Sequence, residues 1–483
     1  MTLRATARDR VPRQRTPEAG TTRLQPNLTD YIRVRRDFSW ETARSWIDGL
    51  PDGRGLNAAY EAVTRHAARD RATQAALKCW DEHGQLSQVS YSALDISTNR
   101  LANVLGRIGV GKGDRVAALL GNVPELAITV LGTLKAGAVF TDLACEADDL
   151  EQRLRLVDPR ALVTNTELYK RRVAPMREQL PSLAQVLLID GPAGADTLDF
   201  HRALAESSED FVIPPTEPDD PSLVLFTRGR AGKPRAVVHV HESVIAHHAT
   251  AAYALDLHAG DVVWCDAEQP SLVKICYGIM AALSHATTSV LDVSRPDPAD
   301  AYALLEQAKV TVWYTTPATL RLMRQAGAAL AQSYDLSSLR FVASVGESLE
   351  PDLVTWSQEA LGRPAHDTWC QTETGIIAIS NYASMDIRPG SMGKPMPGVR
   401  VGLLPRGAAD QLRAQDGDPA ELTDPNAVGE IAIRPSLPSM FRAYLDDAEE
   451  FARRFVGGWY FTGDLARRDN DGFYWHAGRL TDR

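Results

Sequence analysis

The sequence predicts an α/β fold in which helices cover a mostly parallel sheet, followed by a smaller β-rich subdomain. From about Leu56 onward, short apolar runs alternate with segments whose apolar residues recur at helical spacing. This alternation is typical of parallel strands connected by helices that pack on both faces of a sheet. After about Met385, proline and glycine become frequent and the apolar runs shorten, which indicates β-strands between tight turns. A length of 483 residues accommodates about three domain-sized units.

The individual elements follow from the same patterns. Apolar residues at helical spacing predict a helix over 91–105, and the turn at Gly111–Asp114 separates it from the next strand. A second helix is predicted over 125–136, where Gly137 ends it. The predicted strands of the α/β part cover 115–120, 138–141, 161–164, 185–189, 222–226, 261–264, 310–314 and 339–345, and those of the β-rich part cover 399–404 and 429–434.

Composition excludes several classes of protein. Hydrophobic residues make up 44% of the chain and charged residues 24%, as in ordinary globular proteins. The 52 Lys and Arg against 62 Asp and Glu give a net charge of −10, which disfavours a nucleic-acid partner. No window is apolar enough for a membrane span. The five cysteines lie far apart and form no CxxC pair, so we expect neither a zinc site nor a disulfide scaffold. Because disulfides are rare in the reducing cytoplasm, we expect a cytoplasmic location.

The N-terminal segment differs from the rest of the chain. Residues 1–20 contain five arginines and almost no apolar residue, so they lack the hydrophobic region of a secretory signal. We predict a disordered Arg-rich tail over residues 1–25. A transit peptide and a misassigned start are the alternatives.

A glycine-rich turn with a lysine follows the strand predicted over 222–226. Its sequence from Phe226 to Arg235 is typical of a phosphate-binding loop, in which main-chain amides face the anion and Lys233 adds a positive charge. The spacing is not that of a Walker A loop. A glycine-rich surface turn is the alternative.

Other motifs follow in order at Val345–Ser348, Asp367–Gly375, Trp459–Leu465 and Gly478–Arg479. With the glycine-rich loop, they resemble the adenylate-forming superfamily of acyl-CoA synthetases, luciferases and peptide-synthetase adenylation domains. The resemblance runs from about Asn27 to Arg483. It is closest to the AMP-forming acetyl-CoA synthetases, through the segments Pro26–Tyr31, Asp37–Trp40, His239–Glu242 and Thr311–Pro317.

The resemblance implies the large N-terminal core of an adenylate-forming enzyme, with two helix-flanked, mostly parallel sheets. We expect a first α/β subdomain over 26–220, a second over 221–385 with the phosphate loop, and a β-rich subdomain over 386–476. Residues 477–483 would begin the hinge to the family's C-terminal lid. Since that lid carries a lysine for adenylation, we expect the core alone to adenylate slowly and to transfer poorly to CoA.

The resemblance also implies the phosphate end of a nucleotide site. Thr372 matches the threonine that hydrogen-bonds the AMP phosphate, and Glu373 matches the carboxylate that holds Mg²⁺. Lys233 is the third catalytic candidate. The phosphate-loop candidates are Thr227, Arg228, Gly229, Arg230 and Gly232.

The nucleoside end is implied in the same way. Asp464 matches the acid that binds the ribose hydroxyls, and Arg479 matches a second ribose or phosphate contact. Trp369 takes the aromatic position beside the purine. The remaining nucleotide-binding candidates are Gly346, Glu347 and Ser348 along adenine, together with Asp367 and Gln371.

The phosphate loop departs from the family pattern. Arg228, Arg230 and Ala231 replace three hydroxyl residues and so remove donors to phosphate. The two new guanidinium groups would restore charge and bidentate contacts. A loop with weakened ATP binding is the alternative.

The residues of the acid pocket also depart from the family pattern. Cys370 stands where acetyl-CoA synthetases carry a tryptophan that closes the pocket around a methyl group, so we expect a larger pocket and an acid other than acetate. The resemblance places Val273, Lys274 and Val345 near the same pocket. Lys274 would pair with a second anionic group of the substrate or with a small inorganic anion. A solvated surface lysine is the alternative.

Three functions follow, of which the first is favoured. The chain is expected to adenylate a small acid with ATP and Mg²⁺ and, in a full-length form, to pass the acyl group to CoA. The alternative within the same fold is ATP-dependent activation of nitrite, with an amine as second substrate, for N–N bond or diazo formation. The alternative of another class is a non-catalytic nucleotide-binding homologue.

Overall fold

The computed structural model describes residues 24–191, 194, 196–228, 232–266, 272–293, 297–414 and 419–480. Most of the predicted tail, the loop candidates Gly229 and Arg230, and the last three residues of the predicted hinge lie outside them. The described strands form three sheets. No described helix is long and apolar enough to cross a membrane.

The strands are numbered in chain order. They are β1 (Ala75–Trp80), β2 (Leu86–Ser90), β3 (Arg115–Leu119), β4 (Val139–Asp142), β5 (Ala161–Thr164), β6 (Gln185–Leu188), β7 (Thr197–Asp199), β8 (Pro221–Arg228), β9 (Pro234–Val240), β10 (Val262–Cys265), β11 (Thr288–Asp292), β12 (Val312–Thr315), β13 (Phe341–Ser344), β14 (Ala365–Cys370), β15 (Ile377–Ser380), β16 (Lys394–Pro395), β17 (Val401–Leu404), β18 (Gly429–Ile433), β19 (Ala443–Tyr444), β20 (Phe455–Val456), β21 (Trp459–Arg468) and β22 (Tyr474–Arg479).

Helices connect most of these strands. The α-helices are Tyr31–Asp37, Trp40–Arg44, Arg65–Ala67, Tyr91–Arg107, Pro124–Lys135, Leu150–Val157, Thr166–Leu168, Phe200–Ala205, Ser243–Ala254, Ala282–Ser284, Pro298–Gln307, Pro317–Gln325, Ala328–Gln332, Pro351–Leu361, Ala408–Ala414 and Ala448–Arg454. Tyr60–Thr64, Tyr169–Val173 and Val273–Ala281 are π-helical, and Pro51–Gly53 and Ala174–Gln179 are 3₁₀-helical.

The two large sheets are mostly parallel. One has the order β19-β9-β8-β4-β3-β5-β6-β7, in which β8, β4, β3, β5, β6 and β7 run parallel and β9 and β19 pair antiparallel. The other has the order β16-β15-β14-β13-β12-β10-β11-β1-β2, with parallel pairing from β14 to β1. A smaller antiparallel sheet contains β17, β18, β21, β20 and β22. The predicted fold class is therefore confirmed.

The predicted subdomain boundary at residue 220 does not coincide with a boundary between sheets. Strands β8 and β9, which follow residue 220, belong to the eight-stranded sheet, whereas β1 and β2, which precede it, belong to the nine-stranded sheet. The phosphate loop therefore joins the first of these sheets and not the second. Sequence patterns identify a strand but not its partner, because pairing depends on contacts between distant segments.

The predicted helices at 91–105 and 125–136 are present as Tyr91–Arg107 and Pro124–Lys135. Ser90 caps the first helix by accepting a hydrogen bond from the Ala93 amide, and Pro124 occupies the first turn of the second. The helices approach closely at Gly132, where an added Cβ would lie 2.8 Å from Cδ2 of Leu101. Glycine is required there by packing.

Candidate functional site

The site residues gather where parallel strands of the nine-stranded sheet end. Strand β13 leads into Val345–Ser348, and its neighbour β14 leads into the turn Gln371–Gly375. Because the carboxyl ends of parallel strands meet at one edge, these two predicted motifs lie side by side. The edge is where ligands bind in open α/β sheets.

Asp464 is the acceptor on which several predicted residues converge. Its Oδ2 accepts hydrogen bonds from Trp369 Nε1 at 3.1 Å and from Gln371 Nε2 at 2.8 Å. Its Oδ1 accepts from Arg479 Nε at 2.8 Å, because Arg479 lies opposite Asp464 in the β21–β22 pair. The carboxylate is buried, so these donors fix it in one orientation.

Thr372 and Glu373 occupy the turn that follows β14. Glu373 is buried, and Tyr444 donates its hydroxyl to Glu373 Oε1 at 3.0 Å. The turn ends at Gly375, which has φ +71°, and an added Cβ there would lie 2.4 Å from the Ser439 carbonyl oxygen. Only glycine fits this conformation and this approach, so the turn is held in place beside the segment around Ser439.

The phosphate loop is the connection of a β-hairpin. Thr227 pairs with Arg235 and Arg228 pairs with Pro234 across the antiparallel strands β8 and β9. Arg228, Gly232 and Lys233 are exposed, whereas Thr227 is half-buried. The exposed cations Arg228 and Lys233 therefore flank the loop on either side.

The predicted adenine segment carries contacts that its sequence did not reveal. Glu347 forms an ion pair with Arg321 at 2.9 Å, and Ser348 Oγ lies 3.2 Å from His476 Nδ1. Both Glu347 and Ser348 are exposed, as is Gly346.

Asp367 behaves differently from the other nucleotide-binding candidates. Its carboxyl group is buried, and its Oδ1 accepts a hydrogen bond from the Thr368 amide at 3.1 Å. Burial raises the pKa of Asp367 well above its ordinary value. The side chain therefore accepts hydrogen bonds from the main chain at Thr368 and at Leu349.

The acid-pocket candidates lie at the same sheet edge. Val345 follows β13, Cys370 ends β14, and Val273 begins the helix that follows β10. Val345 and Val273 are buried and Cys370 is half-buried. Burial raises the pKa of the Cys370 thiol to about 12, so this cysteine is a protonated, weakly nucleophilic group.

Lys274 is buried and paired. Its Nζ lies 2.6 Å from Oδ2 of Asp142, which is itself buried at the end of β4. Burial raises the pKa of Asp142, and the Lys274 ammonium opposes this effect. Lys274 is therefore not a solvated surface residue, and its charge is compensated within the protein.

Sequence reasoning missed the residues that surround Glu373. Tyr444 lies 71 positions away from it, and the Arg235 guanidinium stacks over the Tyr444 ring at 4.6 Å from its centre. No motif marks Tyr444, which meets Glu373 and Arg235 only after β19 pairs with β9.

Comparisons with known proteins agree with this geometry. A family model described as AMP-binding enzyme matches residues 63–445. The acetyl-coenzyme A synthetase of Bacillus subtilis is 36% identical over 462 residues, which cover 94% of this chain and 78% of that protein. Acetyl-coenzyme A synthetase 2 of Pseudomonas aeruginosa is 31% identical, with 96% of this chain and 78% of that protein covered.

A solved structure supports the same assignment. The acyl-CoA synthetase of Brucella canis superposes with a TM-score of 0.81 at 27% identity, covering 94% of this chain and 80% of that chain. The chain belongs to the AMP-binding, adenylate-forming enzyme family and is an AMP-forming acid ligase of the acyl-CoA synthetase type.

Proposed function

We propose that this enzyme condenses ATP with a small monocarboxylic acid larger than acetate, forming an acyl-adenylate and pyrophosphate, and that a full-length form then transfers the acyl group to CoA. The observation that carries the proposal is the convergence of Trp369, Gln371 and Arg479 on Asp464, one turn away from Thr372 and Glu373. This arrangement offers ribose hydroxyls an acceptor on β21, and it offers a metal a carboxylate on the turn that follows β14.

The proposed roles follow from the chemistry. The substrate carboxylate attacks the α-phosphorus and pyrophosphate leaves, so catalysis rests on alignment and on neutralising negative charge. Lys233 and Arg228 supply positive charge beside the triphosphate from the phosphate loop. Thr372 donates a hydrogen bond to the α-phosphate.

Glu373 fits the Mg²⁺ ion that the family uses. Its carboxylate is a hard oxygen ligand, it is buried, and Tyr444 already orients it. When bound, Mg²⁺ supplies charge that stabilises the leaving pyrophosphate. Glu373 would therefore hold the ion at the phosphate end of the site.

The type of acid substrate is inferred from the residues predicted to line the acid pocket. Cys370 is much smaller than the tryptophan of acetyl-CoA synthetases, and this difference would leave room for a longer acyl chain beside it. Lys274, the cation that the sequence places at this pocket, is paired with Asp142, which favours an uncharged acyl chain over a dicarboxylic acid. The nitrite alternative depended on the charge of Lys274, which this pairing compensates, and the relatives reported above are acetyl-CoA and acyl-CoA synthetases.

ATP–pyrophosphate exchange with a panel of acids tests the proposal. The panel contains acetate, propionate, butyrate, malonate, succinate, aromatic acids, and nitrite with and without amines. We expect Mg²⁺-dependent exchange with a monocarboxylic acid larger than acetate, and loss of most of it in Glu373→Gln. Formation of the corresponding acyl-CoA on addition of CoA tests the second step.

Other outcomes would overturn parts of this proposal. Exchange that prefers malonate or succinate would contradict the uncharged acyl chain, and exchange that prefers acetate would contradict the enlarged pocket. ATP consumption that requires nitrite and an amine would replace carboxylic acid activation altogether. ATP binding without exchange for any acid would favour the non-catalytic alternative.

A further inference from the structure

Tyr444 makes a buried hydrogen bond to the predicted metal ligand. Its hydroxyl lies 3.0 Å from Glu373 Oε1, and both side chains are less than a tenth exposed. The Tyr444 hydroxyl is the donor, because a carboxylate oxygen accepts hydrogen bonds. One oxygen of Glu373 is thus engaged, and the carboxylate keeps its second oxygen as a ligand.

The main chain around Tyr444 joins this carboxylate to the phosphate-loop hairpin. Tyr444 pairs with Val237 of β9, and the next amide, that of Leu445, donates to the Ala236 carbonyl at 3.0 Å. On the other side, the amide of Phe441 donates to the Glu373 carbonyl at 3.0 Å. The segment from Phe441 to Leu445 therefore contacts both the hairpin and the Thr372–Glu373 turn.

Arg235 strengthens the same connection. It lies two residues after Lys233, and its guanidinium packs over the Tyr444 ring at 4.6 Å from the ring centre. A cation over an aromatic face is attracted by the ring, and the attraction increases when the pair is desolvated. Arg235 is buried, so this contact ties the end of the phosphate loop to the tyrosine that binds Glu373.

Acidic and basic side chains alternate around Tyr444 and Glu373. Glu450 is buried and lies 3.6 Å from the Arg235 guanidinium. Arg454 Nε donates to Glu450 Oε1 at 3.0 Å. The negative charge of Glu450 compensates the positive charges of Arg235 and Arg454. These ion pairs hold the side chains around Tyr444 and Glu373 in place.

We infer that Tyr444 is a positioning residue, which fixes the Glu373 carboxylate at a set place relative to Lys233 so that Mg²⁺ and the triphosphate are held together. This inference rests on the proposed function of Glu373 as the metal ligand. In this role Tyr444 binds the carboxylate of the metal ligand and not the ion. It acts by removing rotational freedom from Glu373 and by fixing the phosphate-loop hairpin against the turn.

The test is the Mg²⁺ dependence of ATP–pyrophosphate exchange in Tyr444→Phe. This substitution keeps the ring, its stacking on Arg235 and its burial, and removes only the hydroxyl. Loss of an outer partner of a metal ligand typically weakens metal binding by about 10- to 100-fold. We therefore expect the Mg²⁺ concentration for half-maximal exchange to rise about tenfold or more, while the KM for the acid stays unchanged.

Tyr382→Phe is the matched control. Tyr382 is also buried, and its hydroxyl donates to a main-chain carbonyl, that of Lys394, at 3.2 Å. The variant loses this hydrogen bond and a second one to Met396 Sδ at 3.8 Å, and neither involves Glu373. We expect its Mg²⁺ dependence to equal that of the unaltered enzyme, even if both variants lose similar thermal stability.

A second variant tests the link to the phosphate loop. Arg235→Met removes the cation over the Tyr444 ring, and we expect it to raise the Mg²⁺ requirement in the same direction as Tyr444→Phe. Mn²⁺ binding to the full chain with ATP, followed by its EPR signal, gives a readout that is independent of turnover.

The outcomes separate this inference from the proposed function. An unaltered enzyme whose exchange does not depend on Mg²⁺ would overturn the proposed role of Glu373. An unaltered enzyme that needs Mg²⁺, together with a Tyr444→Phe variant of identical Mg²⁺ and Mn²⁺ dependence, would overturn the positioning role of Tyr444 alone.

Discussion

Lys274 Nζ lies 2.6 Å from Asp142 Oδ2, and this buried ion pair joins the two large sheets. Asp142 ends β4 of the eight-stranded sheet, next to β8, which leads into the phosphate loop. Lys274 lies in the first turn of the helix that follows β10 of the nine-stranded sheet. The pair therefore connects the strand beside the phosphate loop with the helix at the proposed acid pocket.

This pair makes a specific prediction about stability. Lys274→Met leaves the Asp142 carboxylate buried without its cation, and breaking a buried pair in this way typically costs about 3–5 kcal/mol. The double variant Lys274→Met with Asp142→Leu removes both charges, so we expect it to recover much of that loss. Urea denaturation followed by tryptophan fluorescence measures the free energy of unfolding of each variant.

An exposed ion pair serves as the control. Arg155 and Glu151 lie 2.8 Å apart on a helix surface, and both are about half exposed. Removing Glu151 should change the free energy of unfolding by less than about 1 kcal/mol. A double variant at 274 and 142 that is no more stable than Lys274→Met alone would refute the unpaired-charge explanation.

The strand that contains Asp142 could be predicted from the sequence, but its ion-pair partner could not. The residues around it predicted a strand over 138–141, and the strand is present as Val139–Asp142. Nothing in that pattern indicates a partner 132 positions later in the chain. The partner is determined by how the two sheets pack, and local periodicity carries no information about that packing.

Sequence reasoning could name the residues of the candidate site but not the residue that holds Glu373 in place. Trp369 and Gln371 share a motif, and the structure brings both onto Asp464, which belongs to another motif. Motif residues could be named because the chemistry of phosphate and ribose requires particular side chains at a particular spacing. Tyr444 could not, because its contact with Glu373 arises from the pairing of β19 with β9.

The convergence on Asp464 predicts the effect of Asp464→Asn on nucleotide binding. Asparagine keeps the size of the side chain but replaces one acceptor oxygen with a donor, which then opposes the Trp369 and Gln371 donors or the Arg479 donor. We expect the KM for ATP to rise about tenfold or more, since charge-assisted hydrogen bonds to a buried carboxylate are broken. The KM for the acid should change little.

Steady-state exchange at varied ATP and varied acid measures both constants for Asp464→Asn. Asp469→Asn provides a control on the same hairpin, because Asp469 interacts with Arg388 at 2.5 Å and not with the nucleotide candidates. An equal rise of both KM values in Asp464→Asn would indicate a general loss of structure instead of a lost ribose contact.

Buried histidines behind the Gln371–Gly375 turn predict a pH-dependent stability. Burial lowers the pKa of His239 to about 4 and that of His247 to about 3, from an ordinary value of 6.5. His247 Nε2 lies 2.9 Å from the Gly375 carbonyl oxygen, and His239 Nδ1 lies 3.2 Å from the Ser439 carbonyl oxygen. Both rings are therefore neutral supports of the turn.

The direction of the effect follows from proton binding. Below pH 6.5 the unfolded chain protonates these histidines while the folded protein does not, so stability falls as the pH falls from about 6.5 toward 4. Each buried histidine contributes up to about 1.4 kcal/mol per pH unit to this slope. We expect His247→Asn to flatten the slope, and substitution of the exposed His83 to leave it unchanged. Urea denaturation at several pH values measures the slope.

The size of the acid pocket is tested by restoring the residue type that acetyl-CoA synthetases carry. Cys370 lies at the end of β14, and Val345 follows the neighbouring strand β13. In Cys370→Trp we expect the ratio of kcat/KM for acetate to that for the preferred larger acid to increase about tenfold or more. One missing or added methylene in an apolar pocket typically changes discrimination by about 10- to 200-fold.

Cys370→Ala distinguishes pocket size from thiol chemistry. The pKa of the thiol is raised to about 12, so little thiolate exists near neutral pH and alanine should support exchange at a rate close to that of the unaltered enzyme. Exchange with each acid of the panel measures both variants. Loss of exchange with every acid in Cys370→Ala would require a chemical role for the thiol, whereas a changed acid preference in Cys370→Trp alone places this side chain in the wall of the pocket.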